Sequence, residues 1–283
     1  MASGTFESWL DEINLDPGAG WLAMGTRALG SRPWLVVDDR RRAELALKAQ
    51  LVRDRHDEVF AARPGSELAS AETLSLVERA CVELGLELPV LADGLHPLDR
   101  AGRLVQEDLC LMAPGEAGWT LDAASLCFPS RWRLADKLGR PHGDVHGPVE
   151  GYRSTLASRV DRLFDRLGER IVWRRNWFVH PDPALFQPDR PAGGDPVVPT
   201  GRCEAGLFVR SERQTLRRLA DSGWVLFTIR TQQEPLGQLL SDDGRRSGFA
   251  RYLAEAPVDQ LAHRGLGHEQ VAQLDPVVGP PDR

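Results

Sequence analysis

The chain has 283 residues, 42% of them hydrophobic, enough to bury one large core or two modest ones. A formal net charge of -6 and a pI near 5.7 leave no cationic excess to track a phosphate backbone, which excludes nucleic acid as an expected partner. No run approaches the roughly 18 apolar residues that a membrane span needs, which excludes the membrane as well.

Residues 1–38 are rich in Gly, Pro and Trp (Trp9, Trp21, Trp34) without sustained periodicity, and read as an extended segment draped over a core. The opening Met1-Ala2-Ser3-Gly4-Thr5-Phe6-Glu7 has neither a basic stretch nor an apolar run, so a cytoplasmic, reduced protein is expected. Helical spacing follows over 39–55. It returns over 70–84, where Leu74, Val77, Cys81 and Leu84 share a stripe that Gly85 ends. Two strand-like runs, 104–113 and 119–128, flank Pro114-Gly115-Glu116-Ala117-Gly118, a composition suited to a hairpin.

After the Pro129–Pro148 segment, Tyr152, Leu156, Val160, Leu163, Phe164 and Leu167 repeat on one face of a helix over 149–167, closed by Gly168. Three further strands are expected at 171–180, 207–219 and 224–231, each alternating large apolar with polar residues. Residues 187–202 form a Pro/Gly-rich loop long enough to be a lid or an insertion, and 276–283 a fraying end.

The predicted fold class is α+β: a five-stranded antiparallel sheet with helices on one face. The expected division is 1–103 as an N-terminal extended and helical region packing on the core, 104–240 as the central domain, and 241–283 as a helical or irregular C-terminal tail.

Cys81, Cys110, Cys127 and Cys203 are far apart with no Cys-x-x-Cys pair, which excludes a zinc ribbon or a locally encoded iron–sulfur site. Of seven histidines, His56, His263 and His268 sit in charged surroundings and read as solvated. His96 and His180 each precede a proline and read as turn residues, with a supporting role at a site left open.

His146 differs, because Gly147-Pro148 halts any preceding helix while Pro148 can start the next one. Such punctuation can aim an imidazole into a cavity as a metal ligand, or simply place a capping or packed histidine. His142, four residues earlier, could share its helical face in a two-histidine metal site.

In the 171–180 strand one face carries Trp173, Arg175 and Trp177, the other Arg174, Asn176 and His180. That pattern fits an amphipathic cavity or a solvent-facing sheet with cation–π pairs. Glu212 and Gln214 share a face with Phe208 and Arg210, so Glu212 could hold a cationic amine or an arginine across the strands. Arg230, at the end of an apolar strand, fits either a carboxylate clamp or a surface arginine.

Several separated blocks resemble one known family in the right order. They are Val105-Gln106-Glu107-Asp108-Leu109-Cys110-Leu111, Cys127-Phe128-Pro129-Ser130-Arg131-Trp132, Lys137-Leu138-Gly139-Arg140-Pro141, His146-Gly147-Pro148-Val149, Trp173-Arg174-Arg175-Asn176-Trp177, Glu212-Arg213-Gln214-Thr215-Leu216 and Phe227-Thr228-Ile229-Arg230-Thr231. With Asp57-Glu58-Val59-Phe60 and Pro64-Gly65-Ser66-Glu67 they cover most of residues 25–240 and resemble the heme-dependent oxidative N-demethylase family. One departure lies near the ligand helix, where the family often reads Pro-Val-Pro-Gly-Tyr and this chain has Pro148-Val149-Glu150-Gly151-Tyr152.

The resemblance implies a PAS-like domain binding heme b, with His146 as the iron ligand and Pro148, Tyr152 and Arg230 as cofactor-binding residues. It implies oxygen activation at the opposite face, with Glu212 orienting an amine and Arg175, Asn176 and Trp177 as further catalytic candidates. Electrons would come from NAD(P)H through a separate flavin/iron–sulfur reductase, since the chain has neither a Rossmann-type glycine fingerprint nor clustered cysteines.

The implied reaction uses O2 to remove a methyl group as formaldehyde from a small secondary amine such as dimethylamine. The alternatives are N-oxygenation of a primary amine on an amino-acid-like substrate, a heme-PAS gas sensor, and a scaffold subunit that has lost heme.

Overall fold

The computed structural model describes residues 8–18, 25–116, 118–141 and 157–279. Seven strands lie among them: β1 (Arg27–Ala28), β2 (Phe60–Ala62), β3 (Asp108–Ala113), β4 (Thr120–Ser125), β5 (Val172–His180), β6 (Phe208–Arg218) and β7 (Val225–Pro235). They form one sheet in the order β1-β5-β6-β7-β3-β4-β2, with every neighbouring pair antiparallel.

The sheet therefore has seven strands where five were expected. All five expected strands are present and lie side by side. The additions are the outermost strands, two and three residues long, too short to show an alternating pattern. The strand expected to begin at residue 104 begins at Asp108. Pro97 in the first turn, with the His96 Nδ1 accepting from the Leu98 N–H at 3.3 Å, starts a helix that runs through Leu104.

Helices cover both faces of the sheet, correcting the one-sided expectation. On one face, Phe164 and Leu167 pack with Cys110, Met112, Ala124, Val225 and Ile229. Phe164 lies in Ala157–Asp165, the described part of the helix expected over 149–167, and the Arg218 side chain donates to its carbonyl.

On the other face, the Glu67–Glu83 and Pro97–Leu104 helices supply Val77, Cys81, Leu98 and Leu104 against Leu109, Leu111 and Leu226. Farther along that face, the Asp243–Glu255 and His268–Val278 helices place Phe249, Tyr252, Leu253 and Leu274 against Trp177, Val179 and Val209. Covering both faces explains why all six residues of β3 are buried, where a one-sided sheet would alternate.

Candidate functional site

Alternation along the strands combined with their register divides the polar residues of β5, β6 and β7 between two surfaces. The front, covered in part by Ala157–Asp165, carries three successive rows. Asn176 pairs with Glu212 and Glu212 with Thr231; Arg174 pairs with Gln214 and Gln214 with Ile229; Val172 pairs with Leu216 and Leu216 with Phe227. Val172, Leu216 and Phe227 are only half-buried by the described residues, an apolar strip beside a polar row. Such a strip suits a flat, largely apolar ligand.

Glu212 is 8% exposed, and among the described residues its carboxylate accepts one hydrogen bond, from Gln214 Nε2 to Oε2 at 2.8 Å. Gln214 is itself held, its Oε1 accepting from Arg174 Nε at 2.6 Å. No cation lies within ion-pair distance of Glu212 among the described residues. The buried guanidinium of Arg210, two residues along the same strand face, attracts it without forming an ion pair, and its second carboxylate oxygen, with no partner among the described residues, can accept from a cationic ligand. Asn176 turns its Oδ1 to Arg264 Nη1, and the Arg264 guanidinium also stacks 4.7 Å from the Trp177 ring centre, folding around the edge of β5.

The front face ends in a closed corner. Arg210, fully buried, donates to Ser130 Oγ at 2.9 Å and to the carbonyls of Phe128, Pro129, Ala184 and Leu185, pinning two loops; burial lowers its pKa to about 10. Beside it on the same face, His180 is buried, and neither ring nitrogen has a hydrogen-bond partner among the described residues. Burial, reinforced by the charge of Arg210, lowers the His180 pKa to about 4 and keeps the ring neutral.

The back face holds Arg175, Trp177 and Arg230, separating them from Glu212 and Asn176. Arg175 pairs with Glu12 Oε2 through Nε at 2.9 Å and Nη2 at 2.6 Å, and Trp177 Nε1 donates to the Asn14 carbonyl at 3.0 Å. Arg230 is fully buried, with Nη2 2.6 Å from Asp38 Oδ2 and Nη1 2.9 Å from Glu44 Oε2.

Burial works against the Asp38 carboxylate, but Arg230, Gln106 and Gln232 outweigh it and hold the pKa below its usual value; for Glu44 burial prevails and the pKa is raised. β7 also continues past Arg230 to Pro235. Arg230 thus neither ends a strand nor faces Glu212; carboxylates of its own chain already hold it.

His146, Pro148 and Tyr152, and the alternative His142, lie outside the described residues. No cluster of three or more His, Cys, Asp or Glu side chains is arranged to hold a metal ion among the described residues. The four cysteines are buried and free; burial raises the Cys110 pKa and takes that of Cys127 to about 12, so neither thiol is poised as a thiolate.

Two front-face features escaped the sequence reading. The link from Arg174 through Gln214 to Glu212 needs cross-strand register; only the shared face of Glu212 and Gln214 was visible in their spacing. His180 is the last residue of β5, as the expected strand range has it, but its burial, where a turn residue was read, was not foreseen.

Residues 80–272 match the family described as haem-dependent oxidative N-demethylase, alpha subunit-like. The span takes in β3 to β7 and every front-face residue named above, while Glu12, Asp38 and Glu44, which neutralise the back face, lie before it. No curated protein matches the chain.

Proposed function

The chain belongs to the haem-dependent oxidative N-demethylase, alpha subunit-like family, and from that premise we propose that its front face is a heme-dependent amine-oxidising site. The family ties the chain to heme and to oxidative chemistry, and its description as an alpha subunit points to a multi-subunit assembly. No helix among the described residues is long and apolar enough to cross a membrane. A cytoplasmic location is part of the same proposal.

The described residues fit the cofactor in character. A half-open apolar strip of Val172, Leu216 and Phe227 would take the macrocycle, with the Arg174–Gln214–Ile229 row beside it and the row holding the Glu212 carboxylate beyond that. In this reading His146 holds the iron, and Pro148 and Tyr152 lie beside it. The order of strand, strand, helix and three adjacent strands supports a PAS-like description of the five inner strands. Bound heme would supply the activation of O2, with electrons from NAD(P)H delivered by a separate flavin/iron–sulfur partner.

The chain's own contribution centres on Glu212. A secondary amine enters as its ammonium form with two N–H donors, and the Glu212 carboxylate accepts one of them in a charge-assisted hydrogen bond. Asn176 and Thr231, in the same row, bound the space around the nitrogen.

The observation carrying this reading is the buried carboxylate of Glu212, whose single described partner is a neutral amide. A second reading, N-oxygenation of an amino-acid-like primary amine, draws on Arg174, one row away on the same face, which is already bonded to Gln214 and would have to share its guanidinium with a substrate carboxylate.

The test begins with the absorption spectrum of the purified protein beside that of His146→Ala. An intense heme band in the wild type that is lost or shifted in the variant is expected; a band unchanged in the variant overturns the ligand assignment. Oxygen consumption with dimethylamine and a reductant, accompanied by formaldehyde, separates demethylation from the second reading, which yields a hydroxylamine and no formaldehyde. No amine-dependent oxygen uptake with a competent reductase would instead favour a sensor.

A further inference from the structure

Resting on the reading of Glu212 as the amine anchor, we propose that Gln214 is a positioning residue, oriented by Arg174, that fixes the Glu212 carboxylate while preserving its negative charge for the substrate. A guanidinium has only donors, so the Gln214 side chain must present its oxygen to Arg174. The geometry agrees, with Arg174 Nε to Gln214 Oε1 at 2.6 Å. The amide nitrogen is thereby turned the other way, onto Glu212 Oε2 at 2.8 Å. One carboxylate oxygen is held and the other remains for an ammonium N–H.

The interposed amide has a second effect. Were Arg174 to reach Glu212 directly, the two would neutralise each other as a buried ion pair, and the site would lose its attraction for a small cation. Gln214 passes on the orientation imposed by the arginine while keeping its charge one side chain away. Gln214 is 6% exposed and Glu212 8%, so water does not compete for these contacts. The two residues also sit two apart on one strand face, which holds the pair in register without any loop.

Gln214 acts on binding, so affinity rather than turnover reads its role. Heme-loaded protein is titrated with dimethylammonium chloride by absorption difference spectroscopy, with tetramethylammonium, which has no N–H, as the control. Gln214→Met keeps the length and apolar bulk of the side chain but removes both hydrogen bonds. It should weaken dimethylammonium binding by about 10-fold or more, the range for a hydrogen bond to a charged group, with the heme spectrum unchanged.

Arg174→Met should weaken binding less, Arg174→Lys should restore part of that loss, and the Gln214→Met/Arg174→Met double variant should bind no worse than Gln214→Met alone, because Arg174 acts through Gln214. Thermal unfolding of each variant identifies any that fail to fold, in which case Gln214→Leu replaces Gln214→Met.

Wild-type affinity in Gln214→Met, or losses that simply add in the double variant, would overturn the inference. Glu212→Gln tells that failure from failure of the anchor reading. If Glu212→Gln abolishes binding and Gln214→Met does not, only the positioning role falls; if neither affects binding, the anchor itself is wrong.

Discussion

Arg213 on β6 stands directly opposite Arg230 on β7, and Arg175 on β5 completes the row on the far side of Arg213. Three guanidiniums abreast in a buried face would repel one another. Residues from the N-terminal part of the chain relieve this: Glu12 takes Arg175, the carbonyls of Pro33 and Trp34 take Arg213, and Asp38 and Glu44 take Arg230.

Removing one member leaves uncompensated charge behind. Arg230→Met should destabilise the fold by about 3–5 kcal/mol in urea titration, because Asp38 and Glu44 lose a buried partner. The folded fraction should still take up heme in the same proportion. A variant as stable as wild type, or one that folds normally but selectively loses heme, would return Arg230 to the role of cofactor clamp.

On the opposite face, Glu212→Gln should leave the heme spectrum intact and weaken dimethylammonium binding by roughly 10- to 150-fold, corresponding to about 1.5–3 kcal/mol for a hydrogen bond to a charged group. Equal affinity in the variant would remove Glu212 from the site.

The contrast between these two residues marks the limit of what the sequence could reveal. Alternation within a strand is visible in one dimension, so the split of Trp173, Arg175 and Trp177 from Arg174, Asn176 and His180 was legible, as were the five long strands. Whether Arg230 on one strand faces the same way as Glu212 on another depends on register, which is set by turns and by core packing. The partners of Arg230 come from Asp38 and Glu44, nearly two hundred residues earlier in the chain. Nothing local to Arg230 announces them. The strand at Phe60–Ala62 and the helix at Pro97–Leu104 were missed for a simpler reason: one is too short for a period, and the other runs into an apolar stretch that reads as strand.

His180 makes stability depend on pH. Its pKa falls from 6.5 to about 4 on burial, so between those values the unfolded chain binds a proton that the native ring refuses. Stability from this residue is fully present above pH 6.5 and is lost as the pH falls toward 4, by up to about 3 kcal/mol in all. His180→Phe should flatten the dependence of unfolding free energy on pH across that window by up to one proton. Identical slopes for the two proteins in urea titrations at pH 4.5, 5.5 and 7 would refute the assignment.

Gly102, in the Pro97–Leu104 helix, lies against β4 so closely that a Cβ there would fall 2.0 Å from Ser125 Oγ and 2.6 Å from its Cβ. Gly102→Ala should cost about 1–3 kcal/mol through overpacking, and Ser125→Gly in the same chain should recover part of it. Strictly additive effects in calorimetry would show that the two positions do not meet.

The row of back-face arginines has a consequence for any shortened form of the protein. A chain begun after Glu44 would keep Arg175, Arg213 and Arg230 at about 4.8 Å intervals on neighbouring strands while losing the three carboxylates that answer Arg175 and Arg230. An acidic protein would then display a cationic comb and cling to heparin or nucleic acid, an adhesion created by truncation and foreign to the intact molecule.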